Sequence, residues 1–164
     1  MNDSNDAVPG DGRNETEAER LDRNWTEILQ ELRVIQTGTQ ILTGFLLTIV
    51  FQQRFTTLNQ FQLDVYLALV ILAAATTALG LAPVSLHRAL FRRQAKEKLV
   101  RIANRILKLT LVLVVVVLSG TVLLIFDVVG DHTIAIVVGI LCLVAISATW
   151  LLLPIGFNRR HPRS

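Results

Sequence analysis

The chain has 164 residues, of which 52% are hydrophobic and 18% are charged. Soluble domains carry about 25% charged residues, so the composition argues against an ordinary soluble protein, and the length is that of a single domain. The formal net charge of +3 conceals a split, because residues 1–33 hold nine acids and four bases whereas residues 87–108 hold eight bases and one acid. With Cys142 as the one cysteine, a disulfide framework within the chain is excluded.

The amino-terminal part of the chain is polar. Residues 1–13 are rich in Gly, Pro, Asn and Asp and are predicted to be a disordered tail, and no signal peptide is expected. Residues 14–33 are predicted to form a cytoplasmic amphipathic helix that Asn14 caps together with Glu17. Its apolar face consists of Leu21, Trp25, Ile28, Leu29 and Leu32. That face could lie on the membrane surface or pack on the cytoplasmic ends of the spans.

Four apolar segments follow, and each has the length of about 18–25 residues that crosses the hydrocarbon core of a bilayer. The predicted spans are residues 34–51, 63–86, 106–129 and 133–157. They make up a transmembrane domain over residues 34–157, which a basic tail over residues 158–164 follows. The predicted fold is therefore all-α, a four-helix transmembrane bundle with a cytoplasmic amphipathic amino-terminal helix.

The connections on the two sides differ in character. The second and third spans are expected to continue as helices beyond the membrane and to meet in a turn near Gln94 to Lys98, because residues 87–108 contain no Gly or Pro. A tight turn is predicted on the outer side between the third and fourth spans. The outer side as a whole carries the charged residues Arg54, Asp64, Asp127 and Asp131 together with His132. These could pair to join the helical hairpins or form a mouth, although scattered interfacial charge is the simpler interpretation.

The distribution of basic residues predicts the orientation. An even number of spans places both termini and residues 87–108 on one side, which then carries every Lys and Arg except Arg54. Because basic residues are retained in the cytoplasm, both termini are predicted to be cytoplasmic, with the protein in the plasma membrane. Residues 81–88 and 152–159 match in type, which indicates either two duplicated hairpins or the general frequency of proline and arginine at span ends.

The first span carries the polar residues with the strongest functional potential. Gln36, Thr39, Gln40 and Thr43 share one stripe of a helix. Such side chains either line a path for water, ions or a small polar solute or form hydrogen bonds between helices. Packing is the favoured interpretation, because uncharged amides and hydroxyls often join helices and no acid or base lies near the middle of any predicted span.

The basic cytoplasmic segment comprises Arg88, Arg92, Arg93, Lys96, Lys98, Arg101, Arg105 and Lys108. It determines the topology, and it is also expected to contact anionic lipid headgroups or to dock the acidic residues of the amino-terminal helix. Nucleic acid is not an expected partner, since no recognisable module or interleaved aromatic residues accompany the bases.

Several motifs resemble those of an uncharacterised family of small actinobacterial membrane proteins. The main motif runs from Glu31 to Leu42 and continues with Phe45-Leu46-Leu47. Further matches are Ala82-Pro83-Val84, His87-Arg88 and Leu90-Phe91-Arg92-Arg93, so that the resemblance covers about residues 20–160. It implies a four-span integral membrane protein with no assigned activity and adds no catalytic residues.

No arrangement of residues indicates catalysis, and neither an enzyme activity nor a cofactor is predicted. His87 and His161 are predicted on the cytoplasmic side and His132 on the outer side, so no metal site is expected, and Cys142 is expected to pack within a span. The expected function is that of a non-catalytic membrane protein that associates with itself, with lipid or with a membrane protein partner. The alternative is a small channel or carrier, or a subunit of one, that uses the polar stripe of the first span.

Overall fold

The computed structural model describes residues 12–90 and 96–160, with side chains described for residues 12–86 and 97–152. The helices are α1 (Glu17–Ile49), a short 3₁₀ helix (Gln53–Thr57), α2 (Gln60–Leu90), α3 (Lys96–Val129) and α4 (His132–Arg160). Those ranges contain no β-strand, which confirms the predicted all-α class. Most of the predicted tail over residues 1–13, the start of the predicted turn near Gln94 to Lys98 and the end of the basic tail lie outside the described residues.

The predicted amphipathic helix and the predicted first span form one continuous helix, α1. Its amino-terminal cap is Thr16 rather than Asn14, so that prediction is wrong. The Glu19 carboxylate accepts hydrogen bonds from the Thr16 amide and hydroxyl, both at 2.8 Å, and the Thr16 hydroxyl accepts from the Glu19 amide at 3.4 Å. The capping residue and the acid are therefore three residues apart, as predicted, but the pair lies two residues further along the chain.

Three helical segments are long and apolar enough to cross a membrane, by length and composition: Gln60–Leu86, Glu97–Val129 and His132–Leu152. Of the most apolar window in each, only 28%, 28% and 11% respectively is buried within the protein. A helix in water would turn its largest apolar side chains inward, whereas these three helices leave many of theirs exposed. Such surfaces are those of proteins whose solvent is hydrocarbon.

The carboxyl-terminal part of α1 is not among these three segments. Gln36, Thr37, Thr39, Gln40 and Thr43 make it more polar than the other predicted spans. Between these polar positions it nevertheless exposes large apolar side chains. Val34 is 72% exposed, Phe45 is 68% exposed, and Ile41 and Leu47 are more than half exposed. Apart from its polar stripe, the surface of α1 from residue 34 onward is thus apolar.

The chain divides into two compact units, the first of which comprises Met1–Gln40 and Thr76–Leu111. Leu32 of α1 is buried in this unit, as are Leu99, Ala103 and Leu107, which lie four residues apart along one face of α3. In the part of α1 predicted to be amphipathic, Leu32 is buried and the other residues of the apolar face are half-buried. Pro83, inside α2, is also fully buried.

The second unit comprises Ile41–Ala75 and Val112–Ser164. Its hydrophobic core joins α1, α2 and α3 through Leu46, Tyr66, Leu69, Ala73, Val117 and Leu124. The Tyr66 hydroxyl donates a hydrogen bond of 3.0 Å to the backbone carbonyl of Leu46, near the carboxyl end of α1. The ring of Phe55 packs edge-on against Tyr66 with 5.2 Å between the ring centroids. The hydroxyl of buried Tyr66 thus has a hydrogen-bond partner, and this bond holds the end of α1 in place.

Two glycines in the second unit allow close approach between helices. A Cβ atom added at Gly120 would lie 2.6 Å from a terminal methyl carbon of Leu69, and one added at Gly139 would lie 2.9 Å from Cβ of Leu123. The Leu69 methyl group can rotate away, but a Cβ atom can move only with its backbone. Small residues at helix contacts are typical of membrane proteins, where close packing drives association. Gly139 therefore sets the distance between α3 and α4.

Replacing Gly139 with alanine is expected to destabilise the protein by about 1–3 kcal/mol, the usual cost of overpacking a rigid contact. The matched control is Gly44→Ala in α1, where an added Cβ atom meets nothing within 4 Å. Since alanine favours the helix by about 0.5–1 kcal/mol over glycine, the control is expected to be neutral or stabilising. Unfolding in mixed detergent micelles measures both. Equal stability of the two variants would contradict the close α3–α4 contact.

Candidate functional site

Side-chain polar contacts join α2, α3 and α4 where α2 and α4 begin and α3 ends, within the second unit. We call Asn59, Gln62, Asp127 and His132 the Asp127 cluster. The Gln62 side-chain amide donates hydrogen bonds to Oδ2 of Asp127 at 2.8 Å and to the Asp127 backbone carbonyl at 3.1 Å. Nδ1 of His132 lies 2.6 Å from Oδ1 of the same carboxylate. The Asp127 side chain is only 2% exposed, whereas that of His132 is 57% exposed.

Local sequence signals position each member of the Asp127 cluster. Asn59 and Gln62 cap α2 reciprocally: the Asn59 side chain accepts from the Gln62 amide at 2.9 Å, and the Gln62 side chain accepts from the Asn59 amide at 3.0 Å. Asp131 caps α4 by accepting from the Thr133 amide at 2.8 Å. The Gly130 amide donates to the Phe126 carbonyl at 2.8 Å and closes α3. The two-residue connection between α3 and α4 confirms the tight turn predicted there.

An acid in the last turn of a helix faces the negative end of the helix dipole, which is unfavourable. Asp127 occupies that position in α3, and the Gln62 amide and the His132 ring offset the cost by donating to its carboxylate. The imidazole needs a proton only on Nδ1 to donate, so the contact forms with neutral histidine of that tautomer as well as with imidazolium. The Phe61 ring packs edge-on against His132 at a centroid distance of 4.9 Å.

The Asp127 cluster borders a shallow depression at the outer ends of the helices. Its lining is Asn59, Gln60, Phe61, Gln62, Asp127, Gly130, Asp131 and His132. Among the residues described, no group of three or more His, Cys, Asp or Glu side chains is placed to hold a metal ion. The hydrogen bonds of the cluster join α2, α3 and α4.

The outer charged residues predicted from the sequence are brought together only in part. Asp127 and His132 are in contact, and Asp131 borders the same depression. Asp64 instead accepts a hydrogen bond of 2.9 Å from Gln60 on its own helix, and Arg54 forms no ion pair with a described residue. Scattered interfacial charge is thus the correct description of Arg54 and Asp64 but not of the buried Asp127 contact.

A second feature, which we call the α1–α3 groove, lies within the first unit. Its α1 side is lined by Leu21, Asn24, Glu27, Ile28 and Glu31, and its α3 side by Glu97, Val100, Arg101, Asn104 and Leu107. The groove has a volume of about 340 Å³. Two acidic α1 residues and one basic α3 residue, Arg101, therefore line one groove, and Arg101 pairs with Glu97 of its own helix.

Acidic residues of α1 and of the segment just before it pair with a base of α1 itself. Arg23 forms ion pairs with Glu15 at 2.6 Å and with Glu27 at 3.1 Å. The hydrogen bond from Arg23 lowers the pKa of the Glu15 carboxyl, and the hydrogen bonds to both carboxylates raise the pKa of Arg23. Hydrogen bonds from Thr16 lower the pKa of Glu19. The Arg23–Glu27 pair is exposed, and such pairs contribute little to stability.

The polar stripe of the first span is distributed over different environments. Thr39 is buried and its hydroxyl donates to the Ile35 carbonyl at 2.8 Å. Gln40 is exposed, and Thr43, which belongs to the second unit, is half-buried. The Gln36 side chain packs against Gly80, where an added Cβ atom would lie 3.0 Å from Cγ of Gln36. The four residues thus differ in how far they are exposed.

Half of the basic cytoplasmic segment can be placed. Lys98, Arg101, Arg105 and Lys108 are exposed on α3. Arg92 and Arg93 lie outside the described residues, and so do the side chains of Arg88 and Lys96. The functional roles of the stripe and of the basic segment remain predictions.

Comparison with protein families gives a match over residues 14–154 to the Family of unknown function (DUF6328). The match covers α1, α2, α3 and most of α4. The chain belongs to the DUF6328 family. Comparisons with curated proteins and with solved structures give no significant match. Membership in DUF6328 confirms the resemblance to an uncharacterised family, but it transfers no activity, so the sites described above depend on geometry alone.

Gln62 is the residue of the DUF6328 chain that sequence reasoning overlooked. Its position three residues after Asn59 is a capping signature that would have placed it at the start of α2. Its second contact, with Asp127, joins residues 65 apart in the chain. No local pattern indicates such a contact.

Replacing Gln62 with glutamate preserves the side-chain shape and the acceptor for the Asn59 amide, but it removes the donor to Asp127 and places two carboxylates together. We expect a loss of about 1–3 kcal/mol in the free energy of unfolding at neutral pH, the usual cost of leaving a buried polar group unsatisfied. Gln60→Glu is the matched control, because it makes the same change beside exposed Asp64 and should cost less than about 0.5 kcal/mol. Comparable losses in the two variants would show that the Asp127 cluster is not a buried contact.

Proposed function

We propose that this DUF6328 protein is a non-catalytic multi-pass protein of the plasma membrane that acts through association with itself, with lipid or with a protein partner. The exposed apolar surface of α2, α3 and α4 carries this proposal. Ile71, Val112 and Leu141 are each more than half exposed near the middle of their helices. Exposed apolar surface of this extent is costly in water and favourable in hydrocarbon.

The proposed topology has four crossings with both termini in the cytoplasm. The exposed apolar side chains of α1 from Val34 to Leu47 support a fourth crossing by that helix. The exposed bases Lys98, Arg101 and Arg105 at the start of α3 support the placement of this end on the cytoplasmic side. Arg54, in the 3₁₀ helix between α1 and α2, is the one base on the outer side of this arrangement.

The polar contacts favour association over chemistry. Several buried polar groups serve helix geometry: Thr39 and Thr110 donate to carbonyls of their own helices, and Gln62 joins α2 to α3. Side-chain hydrogen bonds between membrane helices contribute about 0.6 kcal/mol per contact. Such contacts favour a protein that interacts with its partners through its surfaces and not through a reaction centre.

Cysteine labelling tests the topology directly. Because Cys142 is the one cysteine in the chain, Cys142→Ser gives a background without labelling sites. With four crossings, Asn59→Cys should react with a membrane-impermeant maleimide in intact cells, whereas Glu17→Cys and Arg163→Cys should react only after permeabilisation. If α1 does not cross, Glu17→Cys and Arg163→Cys will lie on opposite sides. That result would overturn the four-crossing topology.

A small channel or carrier is the second candidate, and one observation favours it. Nε2 of Gln36 is buried and has no hydrogen-bond partner within the described part of the chain. A buried amide donor without a partner costs about 1–3 kcal/mol, and a bound water molecule or a polar solute would remove that cost. The exposed Gln40 lies one turn further along the same helix.

Transport through this stripe is tested with Gln40→Leu and Gln36→Leu in reconstituted vesicles. A pathway for protons, ions or small polar solutes should lose most of its flux in both variants while the protein remains inserted. If the stripe only packs helices, wild-type vesicles will show no flux above empty vesicles. Thr48→Val, at an exposed threonine of the same helix outside the stripe, is the matched control.

A further inference from the structure

Gln40 of α1 is a polar residue that the protein leaves without a hydrogen-bond partner. Its side chain is exposed, and no described residue forms a hydrogen bond with it. Thr37, on the adjacent turn, is exposed as well, but its hydroxyl donates to the Arg33 carbonyl at 3.0 Å. The Gln40 side chain therefore keeps two N–H donors and an oxygen acceptor available for another molecule.

The position of Gln40 along α1 places this amide in hydrocarbon in the proposed topology. A helix rises about 1.5 Å per residue, so Gln40 lies about 9 Å inside a span that begins near residue 34. Val34 itself is 72% exposed, as expected of a helix that contacts lipid. Long lysine and arginine side chains reach the membrane surface from some depth, but a glutamine side chain is shorter. An amide without a partner is costly in such a solvent.

Gln36, one turn before Gln40, has a different environment. Its side chain packs against Gly80 of α2, where an added Cβ atom would lie 3.0 Å from Cγ of Gln36. That contact joins two helices of the same chain within the first unit. The exposed amide of Gln40 is directed at no such contact, so the partner that satisfies it comes from outside the chain.

A second copy of the chain matches this amide in both depth and chemistry. Copies inserted with the same topology are related by a two-fold axis along the membrane normal, so a residue near that axis meets its own counterpart at the same depth. An amide carries both a donor and an acceptor, and two amides can therefore satisfy each other with two hydrogen bonds. Paired asparagines join the helices of parallel coiled coils in this way and fix their register.

We propose that two copies of the chain associate through α1, with their Gln40 side chains joined by two reciprocal hydrogen bonds. The proposal rests on the proposed function, because it requires α1 to cross the membrane, and it names a second copy as the partner. The exposed surface around Thr37 lies beside this contact, since Thr37 is about 60° from Gln40 around the helix.

Self-association is measured by Förster transfer between labelled full-length copies in lipid vesicles at a series of protein-to-lipid ratios. Gln40→Leu should weaken it about eightfold, which corresponds to two hydrogen bonds of about 0.6 kcal/mol each. Gln40→Asn keeps an amide and should associate more tightly than Gln40→Leu. Thr48→Leu is the matched control, because it also replaces an exposed polar residue of α1 but one whose hydroxyl donates to the Phe45 carbonyl. It should leave association unchanged.

Cysteine cross-linking locates the contact on α1. In the Cys142→Ser background, Thr37→Cys lies about 60° from Gln40 around the helix and Gly38→Cys about 160° from it. Both positions are exposed, and a Cβ atom added at Gly38 meets nothing within 4 Å, so both variants should fold. A short bismaleimide applied to native membranes should join two copies of Thr37→Cys and leave Gly38→Cys monomeric.

A wild type that does not associate at any protein-to-lipid ratio would overturn the proposal, as would equal association of the wild type and Gln40→Leu. Cross-linking of Gly38→Cys to the extent seen for Thr37→Cys would place the contact on another face and would also overturn it. Loss of solute flux in Gln40→Leu with unchanged association would assign Gln40 to a transport path instead. The impermeant maleimide reports the topology separately, so failure of this contact is distinguishable from failure of the proposed function.

Discussion

The apolar surface that α2, α3 and α4 leave uncovered is the constraint on which the rest of the structure depends. Side chains such as Ile71, Val112 and Leu141 need a solvent that does not hydrogen-bond. In such a solvent every backbone amide and carbonyl must be satisfied within its own helix. Long uninterrupted helices follow from that requirement, and the largest apolar side chains no longer need to face the interior.

Because hydrocarbon outside the protein removes the hydrophobic drive between helices, the contacts depend on shape. Gly139 lies so close to Leu123 that an added Cβ atom would come within 2.9 Å of the leucine Cβ atom. Ala73, Ala103 and Ala135 are fully buried for the same reason. Close packing of small residues therefore has the role in these helix contacts that burial of large apolar residues has in a soluble domain.

Polar side chains join helices near their ends. Where α3 ends, Asp127 is buried and gains donors from Gln62 and His132, so an acid that opposes the dipole of α3 becomes a contact between three helices. In the first unit, the exposed amide of Gln40 instead has no hydrogen-bond partner among the described residues. One polar contact is satisfied by the protein itself, and the other amide is available to a second copy.

The sequence by itself determined the helical class, the positions of the three most apolar helices and the tight turn before α4, because these follow from hydropathy, length and turn residues. It misplaced the cap of α1 by two residues, since Asn14 and Thr16 each precede a glutamate at the same spacing. Only the tertiary structure decided that Gln62 contacts Asp127, that Arg54 forms no ion pair with a described residue, and that Leu32 of α1 is buried. These contacts join residues far apart in the chain, and the local periodicity that identifies a helix does not specify which face of another helix it will meet.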